Sequence, residues 1–153
     1  MKRQDQLPQQ KNDLGQNEIL FFQVIFICAL FTNAWALTNY ERCVKYFEDK
    51  DYKNAYQFCK EEKDYNAQYI IGEMYYNGLG VKEDHAEAML WFRKAAEQGN
   101  GQAQFFVGYM YYNGLGVKKD HAEAMLWFRK AAKNGHIRAR IYRDKMLNQD
   151  HSK

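Results

Sequence analysis

Proline and serine are almost missing from this chain. Of its 153 residues, one is proline, Pro8, and one is serine, Ser152. With no proline after position 8, no ring locks φ or removes a backbone donor, so nothing forbids long helices there. With no serine inside the chain, a Ser-His-Asp hydrolase is excluded. Cysteine is scarce: Cys28, Cys43 and Cys59, with no C-x-x-C pair to start a zinc site. Charge of one sign is also lacking. The net charge of +3 is too small to imply a nucleic-acid partner.

Only one long hydrophobic run occurs, Ile19–Phe31, broken by Gln23. Ala34-Trp35-Ala36 follows it, with small residues at the −3 and −1 positions of a signal-peptidase site. Residues 1–36 are therefore expected to be a signal peptide cleaved after Ala36, with a periplasmic or secreted product. The leader before the run departs from that pattern, because Lys2, Arg3 and Lys11 are offset by Asp5, Asp13 and Glu18. The alternatives are an uncleaved inner-membrane anchor, since Ile19–Leu37 approaches a spanning length, and a soluble intracellular protein. Ile25-Phe26-Ile27 before Cys28 is no lipobox, so a lipid there is not expected.

What the chain does have is a repeat. Residues 75–99 and 111–135 are identical at 22 of 25 positions, offset by 36. A fixed period of that size means a stack of units, none of which buries its apolar face alone. In the first copy, Ala67, Ile71, Met74 and Tyr75 form one helical stripe, and Asn77-Gly78 ends it. After a GLGV loop, Asp84 opens a second helix, with Glu87 placed to complete a capping box. Ala88, Trp91, Phe92, Ala95 and Ala96 are its expected buried face, and Gly99 ends it. The second copy repeats these signals. Gly72 and Gly108 each cost about 1 kcal/mol against alanine inside a helix, which predicts a neighbouring helix too close for a side chain. Ala88 and Ala95 would supply the matching surface.

Tyr40–Glu62 reads as a divergent hairpin, with Tyr40, Cys43, Val44 and Phe47 on one helix and Ala55, Phe58 and Cys59 on the other. Ile137–Asn148 reads as a capping helix on the apolar residues Ala139, Ile141, Tyr142, Met146 and Leu147. The expected division is 37–66 as the first hairpin, 67–102 and 103–138 as repeats, and 139–153 as the cap. Residues 129–153 hold eight basic against two acidic residues. That marks a solvated end, or one that meets an acidic partner or an anionic surface.

The pattern A-Q-x-x-[IV]-G-x-M-Y-Y-N-G-L-G-V-x-x-D-x-x-x-A-x-x-W-F-x-K-A-A-x-x-G, present twice, resembles the Sel-one-like repeat, which is related to the tetratricopeptide repeat. The resemblance implies an all-α, right-handed αα-hairpin solenoid, here of about seven helices, with a concave partner-binding side. Exported bacterial members are common, in agreement with the leader. The side chains expected on that concave side are Ile70, Glu73, Tyr76 and Asn77, then Phe106, Tyr109, Tyr112 and Asn113. The alternative for Tyr76 and Tyr112 is packing against the next repeat.

Cys43 and Cys59 are centred on residue 51, the turn of the first hairpin, which sets them at one height on inward faces. In an exported protein a disulfide follows; otherwise they are two buried thiols. Some exported relatives carry a disulfide in each repeat, and a few are credited with binding or cleaving cell-wall-like or β-lactam compounds. Neither full repeat here has a cysteine, which argues against that alternative. His85-Ala86-Glu87 and His121-Ala122-Glu123 match half of a zinc-deaminase motif, but the cysteine half is absent. No catalytic residue, metal site or cofactor is expected. The expected function is a non-catalytic scaffold for a protein or peptide partner, touching a membrane only through an uncleaved N-terminus.

Overall fold

The structure, a computed structural model, describes residues 37–150, with side chains through Asn148. The segment expected to direct export, 1–36, lies outside the described residues. Seven helices follow in order: α1 (Asn39–Glu48), α2 (Tyr52–Cys59), α3 (Tyr65–Asn77), α4 (His85–Glu97), α5 (Gly101–Asn113), α6 (His121–Lys133) and α7 (Ile137–Asp150). The described residues contain no strand. Each helix packs on its chain neighbours, giving three hairpins and a last single helix. No helix among the described residues is long and apolar enough to cross a membrane.

Local chemistry sets the helix starts. At α1 the Thr38 hydroxyl accepts from the Glu41 N–H, and a Glu41 carboxylate oxygen accepts from the Thr38 N–H at 2.7 Å, a reciprocal box. The boxes expected at α4 and α6 are half-formed. Asp84 and Asp120 accept from two backbone donors each. Their own N–H groups, however, donate to the carbonyls of Tyr75 at 2.9 Å and Tyr111 at 3.0 Å. Glu87 and Glu123 therefore have no donor left to reach back for, and the turn is clamped to the preceding helix instead.

Glycine governs the helix spacing. A Cβ on Gly72 would sit 2.5 Å from the Phe92 ring, and one on Gly108 2.8 Å from the Phe128 ring. The close approach expected there is made by a phenylalanine ring rather than by the alanine surface. The loops index one hairpin on the next: a Cβ on Gly80 would meet Tyr52 at 2.6 Å, and Gly116 lies against the His85 backbone.

Three apolar cores run along the stack. The first gathers Cys43, Ala55, Cys59, Ala67, Ile70, Ile71 and Met74. The second centres on Phe92, Val107, Met110 and Trp127, and the third on Phe105, Phe128, Ala139 and Met146. Cys43 and Cys59 are joined by a disulfide with a Cα–Cα distance of 4.9 Å.

Two expectations are corrected. Trp91 is half-buried, with Lys94 Nζ 4.0 Å over its ring, whereas Trp127 is 4% exposed. Trp91 packs on the first core, whose second helix has 8 residues where α4 has 13, so less cover is available. Ile141 is 60% exposed instead of buried. Its counterpart one repeat earlier, Phe105, is covered by Tyr142 of α7 and by His136 just before that helix, and α7 has no such neighbour among the described residues. Where α5 seats Phe128 at Gly108, α7 carries Asp144, paired with Arg143 at 2.8 Å. That charged face suits an end of the stack.

Candidate functional site

A groove of about 950 Å³ crosses both repeat boundaries. One wall is α3, with Tyr65, Asn66, Tyr69 and Glu73. The middle is Phe105 and Phe106 of α5 with the 98–102 turn. The far wall is the 134–138 turn, with His136, Ile137 and Arg138.

Amide side chains build its floor, closing each repeat on itself and joining it to its neighbour. Gln98 Nε2 donates to Gln68 Oε1 at 2.8 Å, and Asn134 Nδ2 donates to Gln104 Oε1 at 2.9 Å. Gln104 Nε2 donates to the Ala96 carbonyl at 3.1 Å, and Asn100 Nδ2 to Asn66 Oδ1 at 3.2 Å. No buried side-chain nitrogen or oxygen among the described residues lacks a partner. A floor satisfied this way is rigid, because moving one repeat would break several bonds together.

Two groups carry the groove's electrostatics. The Tyr69 hydroxyl donates to Glu73 Oε1 at 2.7 Å. Burial pushes the Glu73 carboxyl above its usual range, only partly opposed by that bond; burial and the same carboxylate push the Tyr69 phenol up. His136 Nδ1 accepts from the Ala139 N–H at 3.2 Å, capping α7. That fixes the proton of neutral His136 on Nε2, which donates to Gln102 Oε1 at 2.7 Å. Burial, then the Arg138 charge, pulls the His136 pKa down.

Of the eight side chains expected to meet a partner, Glu73 and Phe106 line this groove. Ile70 does not: it is 8% exposed and belongs to the first core. Tyr76 is half-buried against His85, Phe92 and Phe106, with ring centroids 5.0, 6.2 and 5.6 Å away. Tyr109 and Tyr112 flank Tyr142 at 5.9 and 5.8 Å, half-buried against the third core and not part of the groove's lining. Asn77 and Asn113 are exposed, but each amide closes its own helix by donating to the carbonyl four residues back. The lining residues that sequence reasoning missed include Asn66, Tyr69, Gln98, Gln102, Phe105 and His136, while Arg138 was read only as part of the basic C-terminal end. Their signal was present in the glutamines Gln68 and Gln104, polar side chains recurring at a 36-residue interval inside apolar stripes.

The histidines of the two H-x-E motifs pack on tyrosine rings. His85 packs on Tyr76 and lies 3.5 Å from Glu83, and His121 packs on Tyr112 at 5.1 Å. Among the described residues no three His, Cys, Asp or Glu side chains cluster as a metal would need.

Comparison with known proteins supplies the family. The Sel1 repeat model matches residues 66–100 and 101–136. The solved Sel1 repeat protein from Oxalobacter formigenes is 34% identical, with a TM-score of 0.69 over 71% of this chain and 46% of that one. A protective antigen of uropathogenic Escherichia coli, c5321, which displays an SLR fold, is 37% identical, with a TM-score of 0.62 over 70% of this chain and 25% of that one. The Helicobacter pylori cysteine rich protein B is 30% identical, with a TM-score of 0.53 over 56% of this chain and 66% of that one. The ERAD-associated E3 ubiquitin-protein ligase component HRD3A of Arabidopsis thaliana is 40% identical over 53 residues, which are 34% of this chain and 8% of that protein. The chain thus spans less than half the length of the first two structures and a small part of HRD3A. With two matched repeats inside a stack of helical hairpins, residues 66–136 of this chain are Sel1 repeats.

Proposed function

We propose that this chain is a non-catalytic docking module that holds a segment of another protein in the groove between its repeats, and that it works outside the cytoplasm. Sel1 repeats generally mediate protein–protein interaction. The observation that carries the proposal is the groove itself: aromatic walls on a floor of fully bonded amides. A rigid, aromatic-lined channel orders a partner without first ordering itself, which lowers the cost of association. Affinity capture from the native cell-envelope fraction tests it. A partner is expected to be retained by the wild-type chain and lost when Gln102→Trp fills the groove. Equal retention by both would place binding elsewhere. Turnover of muropeptides or penicillins, abolished by one polar substitution, would replace the docking role with an enzymatic one.

Export is supported by the Ile19–Phe31 run with Ala34 and Ala36, and by the disulfide of the first hairpin. N-terminal sequencing of the protein from its cell is expected to begin at Leu37. A membrane-bound chain that retains residues 1–36 would favour the anchored alternative.

A further inference from the structure

We propose that Glu73 receives a lysine or arginine side chain of the docked segment, which makes the partner a peptide stretch with a cationic residue at one fixed position. The proposal rests on the groove being the docking site. Glu73 stands on the α3 wall, half-buried, with one oxygen held by the Tyr69 hydroxyl at 2.7 Å. Its other oxygen has no partner among the described residues. The ion pairs of those residues are Lys60–Glu61, His85–Glu83, Arg93–Glu97 and Arg143–Asp144, and none reaches Glu73. The groove's own cation, Arg138, belongs to the far wall and acts on His136.

The fold does not require this carboxylate, since the same position in the second repeat is Tyr109. That second oxygen still reaches solvent, so it is open to a ligand, and a cation that brings its own hydrogen bonds would replace the water that half-burial already thins around it. The surroundings suit the stem of such a side chain as well. The rings of Tyr69 and Phe106 lie 6.0 Å apart, tilted by 50°, and line the groove with Glu73; aromatic faces attract a cation as well as its methylenes. The chain uses the same pairing internally, where Lys94 and Lys130 each lie 4.0 Å over a tryptophan ring.

The test selects heptapeptides from a randomised phage-displayed library against the full chain, keeping those that Gln102→Trp no longer binds. Retained peptides are expected to share a lysine or arginine at one position. Replacing it with norleucine should weaken binding by about tenfold, the scale of one hydrogen bond to a charged group. Glu73→Gln, which keeps the side chain's shape and a carbonyl for Tyr69, should weaken the parent peptide by a similar factor and leave the norleucine peptide unaffected. The peptide change needs no protein variant, so it decides even if Glu73→Gln folds poorly. Groove-binding peptides without a shared cation, or with one that norleucine replaces at no loss, would overturn this proposal and leave the docking role standing. A library that yields no groove-dependent peptide would overturn both.

Discussion

At Gly72 the helix's own preference and its packing oppose each other. Alanine would gain about 1 kcal/mol of helix propensity. Its Cβ would also fall 2.5 Å from the Phe92 ring, and forcing atoms into a filled core costs about 1–3 kcal/mol. Gly72→Ala and Gly108→Ala are therefore expected to lower the midpoint of denaturant unfolding. Gly101→Ala, whose Cβ meets Asn134 at an ordinary 3.5 Å, should leave it unchanged or raise it. His136 provides a residue-scale test in pH. Its Nδ1 must stay unprotonated to cap α7, and its folded pKa lies below the ordinary value. The contribution is then complete above the unfolded pKa of about 6.5 and is lost as pH falls through the folded one. Between pH 7.5 and pH 5 the melting temperature of the wild type should drop more than that of His136→Asn, which can cap without titrating. Equal drops would mean that the ring does not hold the helix end.

Among the helices, the first hairpin is the weakest element by size, and its disulfide compensates. Closing a loop with a sequence separation of 16 contributes about 3 kcal/mol in the chain-entropy model. Thiol titration of the unfolded, unreduced chain spanning 37–153 should find no free cysteine. Cys43→Ala with Cys59→Ala should cost roughly that 3 kcal/mol in chemical unfolding. The seven helices were legible because glycine stops, Asp caps and apolar stripes agree within each copy. The exceptions came from tertiary competition. Asp84 and Asp120 read locally as capping-box partners, but the carbonyls of Tyr75 and Tyr111 take their N–H groups. Ile141 reads as core by pattern and is exposed by position, because burial of that site depends on the next first helix.

For the whole molecule, stability and recognition should separate. Trp127→Ala empties the second core at about 3–5 kcal/mol, and Trp91→Ala should cost less because its ring is half-buried. Thermal melts of the two variants check that order. Tyr65→Ala, in the groove wall and exposed, should weaken a groove-bound partner more than it lowers the melting temperature. The site was only partly legible. Glu73 and Phe106 could be placed from helix periodicity, yet Ile70, on the same face, went into the core. The turns after α4 and α6, with the first residues of α5 and α7, carry no motif of their own and become a surface only when stacking brings α3, α5 and α7 side by side. The most direct measurement is photo-crosslinking in the native cell, with p-benzoylphenylalanine at Gln102 in the groove and, separately, at Leu90, which is 55% exposed and outside it. A discrete protein adduct from position 102 and none from position 90 is the predicted result. The same adduct from position 90 alone, or no adduct from position 102, would contradict a groove that holds a protein partner.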